Sequence, residues 1–305
     1  MALDTMTNRS AGDTITAADW DAVRDNVIKI TGTPSGDEGW NDVFSVYNPS
    51  AGTTITDTDT NDIINAVQDL CVYTGATNNI SDVSNAATIQ DTDLNNVQSS
   101  LTNAYNARTN AASSYLSQEA KSSSSRTSAW STTVTHEATL KFESEPGVPA
   151  VNMREGFFNA GGSIYFTASR SGGATNDQNT DWTNMLSAMG TVKMNFTQTT
   201  ASSGTTTSIG NYDLTTGYST IFTKSGSGSY STNYYKVEAK AASSTEINFR
   251  ITFGDSHTGR GYFDSVDGTL SSVIGMFRPN SGTLPNGYTV EISNEFINWT
   301  TNSNL

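Results

Sequence analysis

Apolar residues in the first third of the chain recur every three or four positions, which is the spacing of one face of an α-helix. Three such stretches occur, separated by polar connections. The pattern predicts three helices whose narrow apolar stripes cover one another in a small bundle. The predicted helical core consists of Ile15, Trp20, Val23, Val27, Ile63, Val67, Leu94, Val97 and Leu101.

A similar polar motif precedes each predicted helix. In the first two copies, Thr16 with Asp19 and Thr56 with Asp59 have the spacing of an N-terminal capping box, in which Asp replaces the usual Glu or Gln. Asp93 takes the corresponding position in the third copy. The spacing between copies is unequal, so we expect a degenerate repeat that forms one bundle; a stacked array is the alternative. The motif occupies residues 14–19, 54–59 and 88–93.

After Trp130 the apolar period changes to two, as in half-buried β-strands. Short alternating segments separated by Gly- and Asn-rich turns predict an antiparallel β-sandwich of jelly-roll type, with one short helix over 181–189. The fold class expected is therefore α+β, with N-terminal helical repeats followed by the sandwich. The strands are predicted at 134–142, 164–168, 192–197, 219–223, 234–241, 246–253, 270–277 and 288–292.

The stretch between the two patterns is rich in Ser and Ala and contains Lys121-Ser122-Ser123-Ser124-Ser125-Arg126. Such small, polar side chains favour a flexible connection. The predicted organisation is a helical attachment or oligomerisation region over 1–118, a Ser-rich linker over 119–130 and a β-sandwich domain over 131–305.

The composition is polar but weakly charged. Among the 305 residues, 35% are hydrophobic and 15% charged, and the net charge is −14. An acidic chain of this kind is a poor partner for nucleic acid, because affinity for phosphates depends on Lys and Arg. No apolar stretch has the length of a membrane span, so we expect a protein made in the cytoplasm with neither a nucleic-acid nor a membrane partner. The single cysteine, Cys71, excludes an intramolecular disulfide.

Candidate catalytic and metal-binding groups are few. Residues 57–62 begin like a calcium loop but have Asp62 where that loop requires Gly, so helix capping is the favoured role of these carboxylates. His136 has the position of an inward strand residue. The run Asp255-Ser256-His257 lacks the separation in sequence that catalytic triads have. We therefore predict a non-enzymatic protein with no catalytic residue, metal or cofactor.

Several aromatic residues stand among Asn, Asp and Gly in the second half, where they could stack on sugar rings. Trp182 and Tyr262 are the candidate glycan contacts. Cross-strand packing is the alternative role for aromatic residues in a β domain.

The stretch from Arg154 to Gly173, with Phe157-Phe158-Asn159-Ala160-Gly161-Gly162 within it, is followed by Gln178-Asn179-Thr180-Asp181-Trp182 and later by Thr252-Phe253-Gly254-Asp255. Together these segments resemble virion structural proteins of tailed bacteriophages, with the nearest likeness to contractile-tailed phages of marine cyanobacteria. The resemblance covers about residues 150–280. It implies a structural role and transfers no active-site residue.

The expected function is that of a non-enzymatic virion component, a tail fibre or a neck or collar appendage, assembled in the bacterial host cytoplasm. Its expected partners are other virion proteins and further copies of itself, in a trimer or hexamer. The alternatives are a receptor-binding module for host-surface carbohydrate and a capsid decoration protein.

Overall fold

The computed structural model describes residues 2–48, 56–83, 89–143, 150–257, 265–292 and 297–305, apart from the side chains of 150–152 and 281. The described chain has an α+β fold with five α-helices and two β-sheets. It divides into two compact units. A helical unit contains residues 1–117, 152–162 and 278–292, and a β unit contains residues 118–151, 163–277 and 293–305.

The chain passes between these units at five points, after residues 117, 151, 162, 277 and 292. The sequence predicted one passage, through a linker over 119–130. The difference arises because two later segments, 152–162 and 278–292, return to the helical unit. The apolar residues of these two segments show that the segments are buried but do not reveal from sequence which core they join.

The helical unit contains the three predicted helices, α1 (Ala17–Thr31), α2 (Asp57–Thr74) and α3 (Asp91–Asn106). A fourth helix, α4 (Ala150–Asn159), begins before residue 152 and was not predicted. Of the nine residues assigned to the helical core from sequence, eight are buried, with exposures of 1% or less, and Ile15 is half-buried. The burial follows from the 3.6-residue period, which places each stripe on one side of its helix.

Polar side chains hold non-helical segments of this unit in place. The carboxylate of Asp69, fully buried on α2, accepts hydrogen bonds from the backbone N–H groups of Asn286 (3.1 Å) and Tyr288 (3.3 Å). The Trp40 indole donates to the carbonyl of Arg108 at 3.0 Å, and Asn159 donates its amide to the carbonyl of Glu38 at 2.9 Å. These contacts fix loops that carry few apolar residues.

The N-terminal segment lies on the helices through side-chain amides. Asn26 accepts from the backbone N–H of Asp4 and donates to its carbonyl, at 2.8 and 3.1 Å. Asn95 forms the same pair of bonds with the backbone of Arg9, at 2.9 and 2.8 Å. Each side-chain amide thus forms, with the backbone of one residue, the two hydrogen bonds that a neighbouring β-strand would form.

The β unit is built on two sheets whose registered strand pairs are antiparallel. The first sheet has the order β1 (Leu116–Arg126), β10 (Thr269–Thr283), β3 (Ser163–Ser171), β4 (Val192–Met194) and β5 (Thr199–Thr200), and β11 (Thr289–Glu291) of the helical unit pairs with the end of β10. The second has the order β12 (Ile297–Ser303), β2 (Thr133–Phe142), β9 (Glu246–Gly254), β8 (Tyr234–Ala241), β7 (Ser219–Ser225) and β6 (Thr205–Thr206). One helix, α5 (Asp177–Met189), belongs to the same unit.

The core of the β unit follows from strand alternation. Along β2, Val134, His136, Ala138, Leu140 and Phe142 are all buried, and their neighbours are not. Aromatic side chains from the two sheets meet, since the rings of Phe166 on β3 and Phe249 on β9 lie edge to face at 5.3 Å.

The Ser-rich stretch forms strand β1, so the prediction that it is a flexible linker was wrong. Serine is not among the residues enriched in strands, and here the neighbouring strand and hydroxyl contacts stabilise the extended backbone. Ser124 donates its hydroxyl to Ser303 on β12 at 2.9 Å. Gly275 on β10 lets this strand lie close to β1, because a Cβ at that position would lie 2.3 Å from the carbonyl oxygen of Glu119.

Two valines on α2 test the predicted helical core. Val67 is fully buried, whereas Val72 is 37% exposed. We expect Val67→Ala to lower the free energy of unfolding by about 2 kcal/mol, from lost burial and the cavity left behind. Val72→Ala is the matched control and should change it by less than about 0.5 kcal/mol. Urea unfolding followed by circular dichroism measures both, and equal losses would contradict the assignment.

Candidate functional site

The three Thr- and Asp-containing motifs lie at helix starts, where their carboxylates satisfy backbone donors. Asp19 accepts from the N–H of Thr16 at 2.8 Å, and Asp59 from that of Thr56 at 2.9 Å. Asp93 accepts from the N–H of Gln90 at 2.8 Å. The common element is thus the backward bond from the third helical residue to the N-cap.

Asp19 is the most buried of these carboxylates and has a second partner, Arg9, at 2.6 Å. Burial by itself would raise the pKa of Asp19, but the hydrogen bonds from Thr16 and Arg9 outweigh it and lower the pKa. Ile15, next to this cap, lines a cavity together with Trp20 and Ile89. The residues Thr54, Ile55 and Thr88 of the other copies lie outside the described residues.

A network of three hydroxyl groups and one imidazole links four strands of the β unit. His136 on β2 is fully buried, with Nε2 2.8 Å from the Ser122 hydroxyl on β1 and Nδ1 2.9 Å from the Ser272 hydroxyl on β10. The Ser122 hydroxyl also lies 2.7 Å from that of Thr301 on β12. The network therefore joins strands of both sheets.

This arrangement suits a structural histidine. Burial lowers the pKa of His136 to about 4, so the imidazole is neutral at pH 7 and one ring nitrogen donates while the other accepts. Both nitrogens are already bonded and the ring is closed to solvent. A substrate has no access to it, so the group cannot act as a general base in this conformation.

A second polar cluster lies where the first half of α5 meets two loops of the β unit. Gln178 donates its amide to Asp255 at 2.8 Å. Asp181 uses one oxygen, Oδ1, to accept from the backbone N–H and the hydroxyl of Ser227, at 2.9 and 2.5 Å. The buried side chain of Asn233 accepts from the backbone N–H of His257 at 2.8 Å. These bonds fix the ends of β7, β8 and β9 around the helix.

The run Asp255-Ser256-His257 does not form a triad in this cluster. The Asp255 carboxylate is directed to Gln178, and the His257 ring lies edge-on to Tyr230 with centroids 4.7 Å apart. Adjacent residues point to different partners, which is the expected geometry of a loop after a strand.

The carboxylate of Asp181 has one unsatisfied atom. Asp181 is 8% exposed, and its Oδ2 finds no hydrogen-bond partner among the residues that the structure describes. The residue also lines a cavity of about 240 Å³ whose walls come from α5, the end of β7 and the loop that follows it. The other lining residues are Asn184, Met185, Ala188, Lys224, Ser225, Gly226 and Ser227.

Of the two predicted glycan contacts, the prediction for Trp182 is wrong. Its side chain is fully buried against Trp130, at 4.9 Å between ring centroids, and Phe253, at 6.4 Å, so a sugar cannot stack on it. The spacing of Trp182, Met185, Leu186 and Met189 along α5 is the signal that places it in the core. Tyr262 lies outside the described residues.

Sequence reasoning also missed the partners of His136 and the unsatisfied atom of Asp181. Ser122 stood in the predicted linker, and Ser272 is one small residue in a strand, so neither carries a sequence signal. Within the described ranges no group of three or more His, Cys, Asp or Glu side chains is arranged to hold a metal ion. None of the described helices combines the length and apolar character needed to cross a bilayer.

Comparison with known proteins gives no match: no family model, no curated protein and no solved structure is significantly similar to this chain.

The buried imidazole predicts a specific dependence of stability on pH. Because the pKa of His136 is about 4 in the folded state and about 6.5 when unfolded, the unfolded state binds the proton first as the pH falls. The contribution of His136 to the free energy of unfolding is fully present above pH 6.5. It decreases by about 3 kcal/mol in total as the pH falls from 6.5 to 4.

Urea midpoints measured across this pH range in wild type and His136→Asn test the effect. The variant should lack this component of the pH dependence. His257→Asn removes the only other histidine and should retain it. Identical pH profiles for wild type and His136→Asn would contradict the prediction.

Proposed function

We propose that this chain is a non-enzymatic structural component of a tailed-phage virion, a tail fibre or a neck or collar appendage. One observation carries the proposal: in the segment that resembles phage virion proteins, the aromatic residues pack in the core and a glycine forms a turn.

The residues of that segment support this role by their positions. Phe157 and Phe158 on α4 and Phe166 on β3 are fully buried. Gly161 has a φ of +83°, and a Cβ there would lie 2.5 Å from the backbone nitrogen of Ala111, so the turn requires glycine. Packing and turn requirements thus account for these residues of the motif.

The finer architecture belongs to the same proposal. We infer that the two sheets pack face to face as a sandwich, supported by the Phe166–Phe249 contact and the His136 network. The sequence of neighbours β7, β8 and β9 is a meander, whereas a strict jelly roll places successive strands in opposite sheets. The three capped helices are proposed to derive from one degenerate repeat.

In the particle, the helical unit is proposed to serve attachment or oligomerisation, in a trimer or hexamer, with the β unit displayed outward. The partners are then other virion proteins and further copies of the chain. Capsid decoration and binding of host-surface carbohydrate remain the alternative proposals, the latter without Trp182 as a contact.

Immunogold electron microscopy on density-purified phage particles tests the proposal. With antibodies against the full chain, we expect gold at one fixed position on the tail or neck. Labelling of the head shell would favour decoration instead. Antibody reactivity confined to the particle-free fraction of the lysate would contradict a virion role.

Light scattering after gel filtration provides the second test. Each chain has a mass of 32.5 kDa, and we expect three or six times that value for the purified protein. A monomer would contradict the proposed oligomer. A truncation at residue 131 is unsuitable for such work, because it would remove β1 and with it the Ser122 partner of His136.

A further inference from the structure

The second sheet of the β unit ends in an open edge strand, β12 (Ile297–Ser303). On one side it pairs with β2, in a register that continues without a bulge from Ile297, opposite Phe142, to Ser303, opposite His136. In the part of the chain that the structure describes, no strand lies on its other side. An edge of this kind presents a row of N–H and C=O groups to which a further strand can bind.

One hydrogen bond at the end of β12 shows which backbone groups face outward. The N–H of Asn304 donates to the carbonyl of Thr135, next to β2, at 3.1 Å. Because bonded and non-bonded pairs alternate along antiparallel strands, Thr300 also bonds to β2. Trp299 and Thr301 therefore direct their N–H and C=O groups away from β2, and these groups have no backbone partner among the described residues.

β12 lacks the features that protect an edge strand from pairing. Proteins block such strands with charged side chains, Pro, bulges or a very short length. The other edge strands of the two sheets have these features, since β5 and β6 contain two residues each and β1 carries Glu119, Lys121 and Arg126. β12 has seven residues, none of them charged and none Pro. Its backbone is therefore open to another strand.

The sequence of β12 fits a second copy of itself in antiparallel orientation. A two-fold axis at Thr300, the central residue, places Thr300 opposite Thr300 of the second copy and Asn298 opposite its Asn302. These three side chains are exposed and lie on one face of the sheet. Thr–Thr pairs across strands are favourable. In the same register, Trp299 exchanges backbone hydrogen bonds with Thr301 of the second copy, and each bond occurs twice.

The charges beside this edge are complementary in the same arrangement. On β2, Lys141 lies opposite Asn298 and Glu137 lies opposite Asn302. Each row across the two copies therefore has Lys141 of one chain at one end and Glu137 of the other chain at its opposite end. The chain has a net charge of −14, but two copies that meet at β12 bring no like charges face to face.

We propose that β12 pairs edge to edge with β12 of a second copy, about a two-fold axis at Thr300, so that the two sheets become continuous. The contact is independent of the proposed virion role. A trimer has no two-fold axis perpendicular to its own, so this pairing joins two trimers into a hexamer where a trimer forms, and joins two single chains where it does not.

A cysteine at the centre of the strand tests the pairing in full-length protein with Cys71→Ala. At the two-fold axis, Thr300→Cys brings two thiols together from Cβ atoms about 4.5–5.5 Å apart, close to the span of a disulfide. We expect a disulfide-linked dimer on a denaturing, non-reducing gel after mild oxidation.

The neighbouring exposed positions provide matched controls. Asn298→Cys and Asn302→Cys each place a thiol on the same face of β12, but opposite an Asn of the second copy. Each variant alone should remain without the disulfide, whereas an equal mixture of the two should form the linked dimer. Homodimers of either control in amounts equal to those of Thr300→Cys would overturn the proposal.

Charge reversal at Thr300 provides the second test. Thr300→Lys and Thr300→Glu each place like charges opposite one another, so each should halve the mass measured by light scattering. An equal mixture of the two variants brings opposite charges together and should restore the mass of wild type. Circular dichroism checks that both variants are folded.

These measurements separate the edge contact from the proposed trimer or hexamer. A wild-type dimer that Thr300→Lys converts to a monomer supports the edge contact and contradicts the trimer or hexamer. A trimer whose mass Thr300→Lys leaves unchanged, and whose Thr300→Cys variant forms no disulfide, overturns the edge contact alone. A monomer without the disulfide overturns both and leaves the edge to an extended segment of a different protein.

Discussion

The two sheets of the β unit are joined by a buried imidazole that bonds to the first two strands at one edge of the first sheet and lies on the second strand of the other. His136 reaches from β2 to hydroxyls on β1 and β10, and Ser122 extends the chain to Thr301 on β12. Two strands from the middle of the chain, β1 and β2, and two from its last part, β10 and β12, therefore depend on one set of hydrogen bonds. Replacing any partner by an apolar group would leave a buried nitrogen or hydroxyl without a bond, which costs about 1–3 kcal/mol.

This constraint explains how a chain with few apolar residues forms a defined fold. Polar contacts supplement the aromatic core of the β unit. Hydrogen bonds require a particular orientation of their two partners, whereas apolar contacts do not, so the polar contacts help to specify one arrangement of the strands. The helical unit uses the same means, with Asp69 holding one turn and Asn26 and Asn95 holding the N-terminal segment. Most groups that looked like candidates for chemistry thus act as structural connectors, and this supports the proposed role in a particle.

Where the apolar pattern was strong, the sequence predicted the structure well. The alternation along β2 and the helical stripes of α1 to α3 gave both the elements and their buried faces. Strand β1 was missed because serine carries no hydrophobic signal, and its structure comes from β10 and β12. Trp182 was assigned to the surface from its polar neighbours, although the stripe on α5 outweighs them. The Asp181 cavity depends on a loop approaching a helix, which no local pattern reveals.

An NMR titration of the His136 ring in selectively ¹⁵N-labelled protein tests most directly whether these polar groups are internal connectors. We expect His136 to stay neutral down to a pH near 4 and to show one hydrogen-bonded tautomer, while the native fold persists. Titration of His136 near the ordinary pKa of about 6.5, with rapid exchange of its ring proton, would show an accessible histidine that does not connect the two sheets.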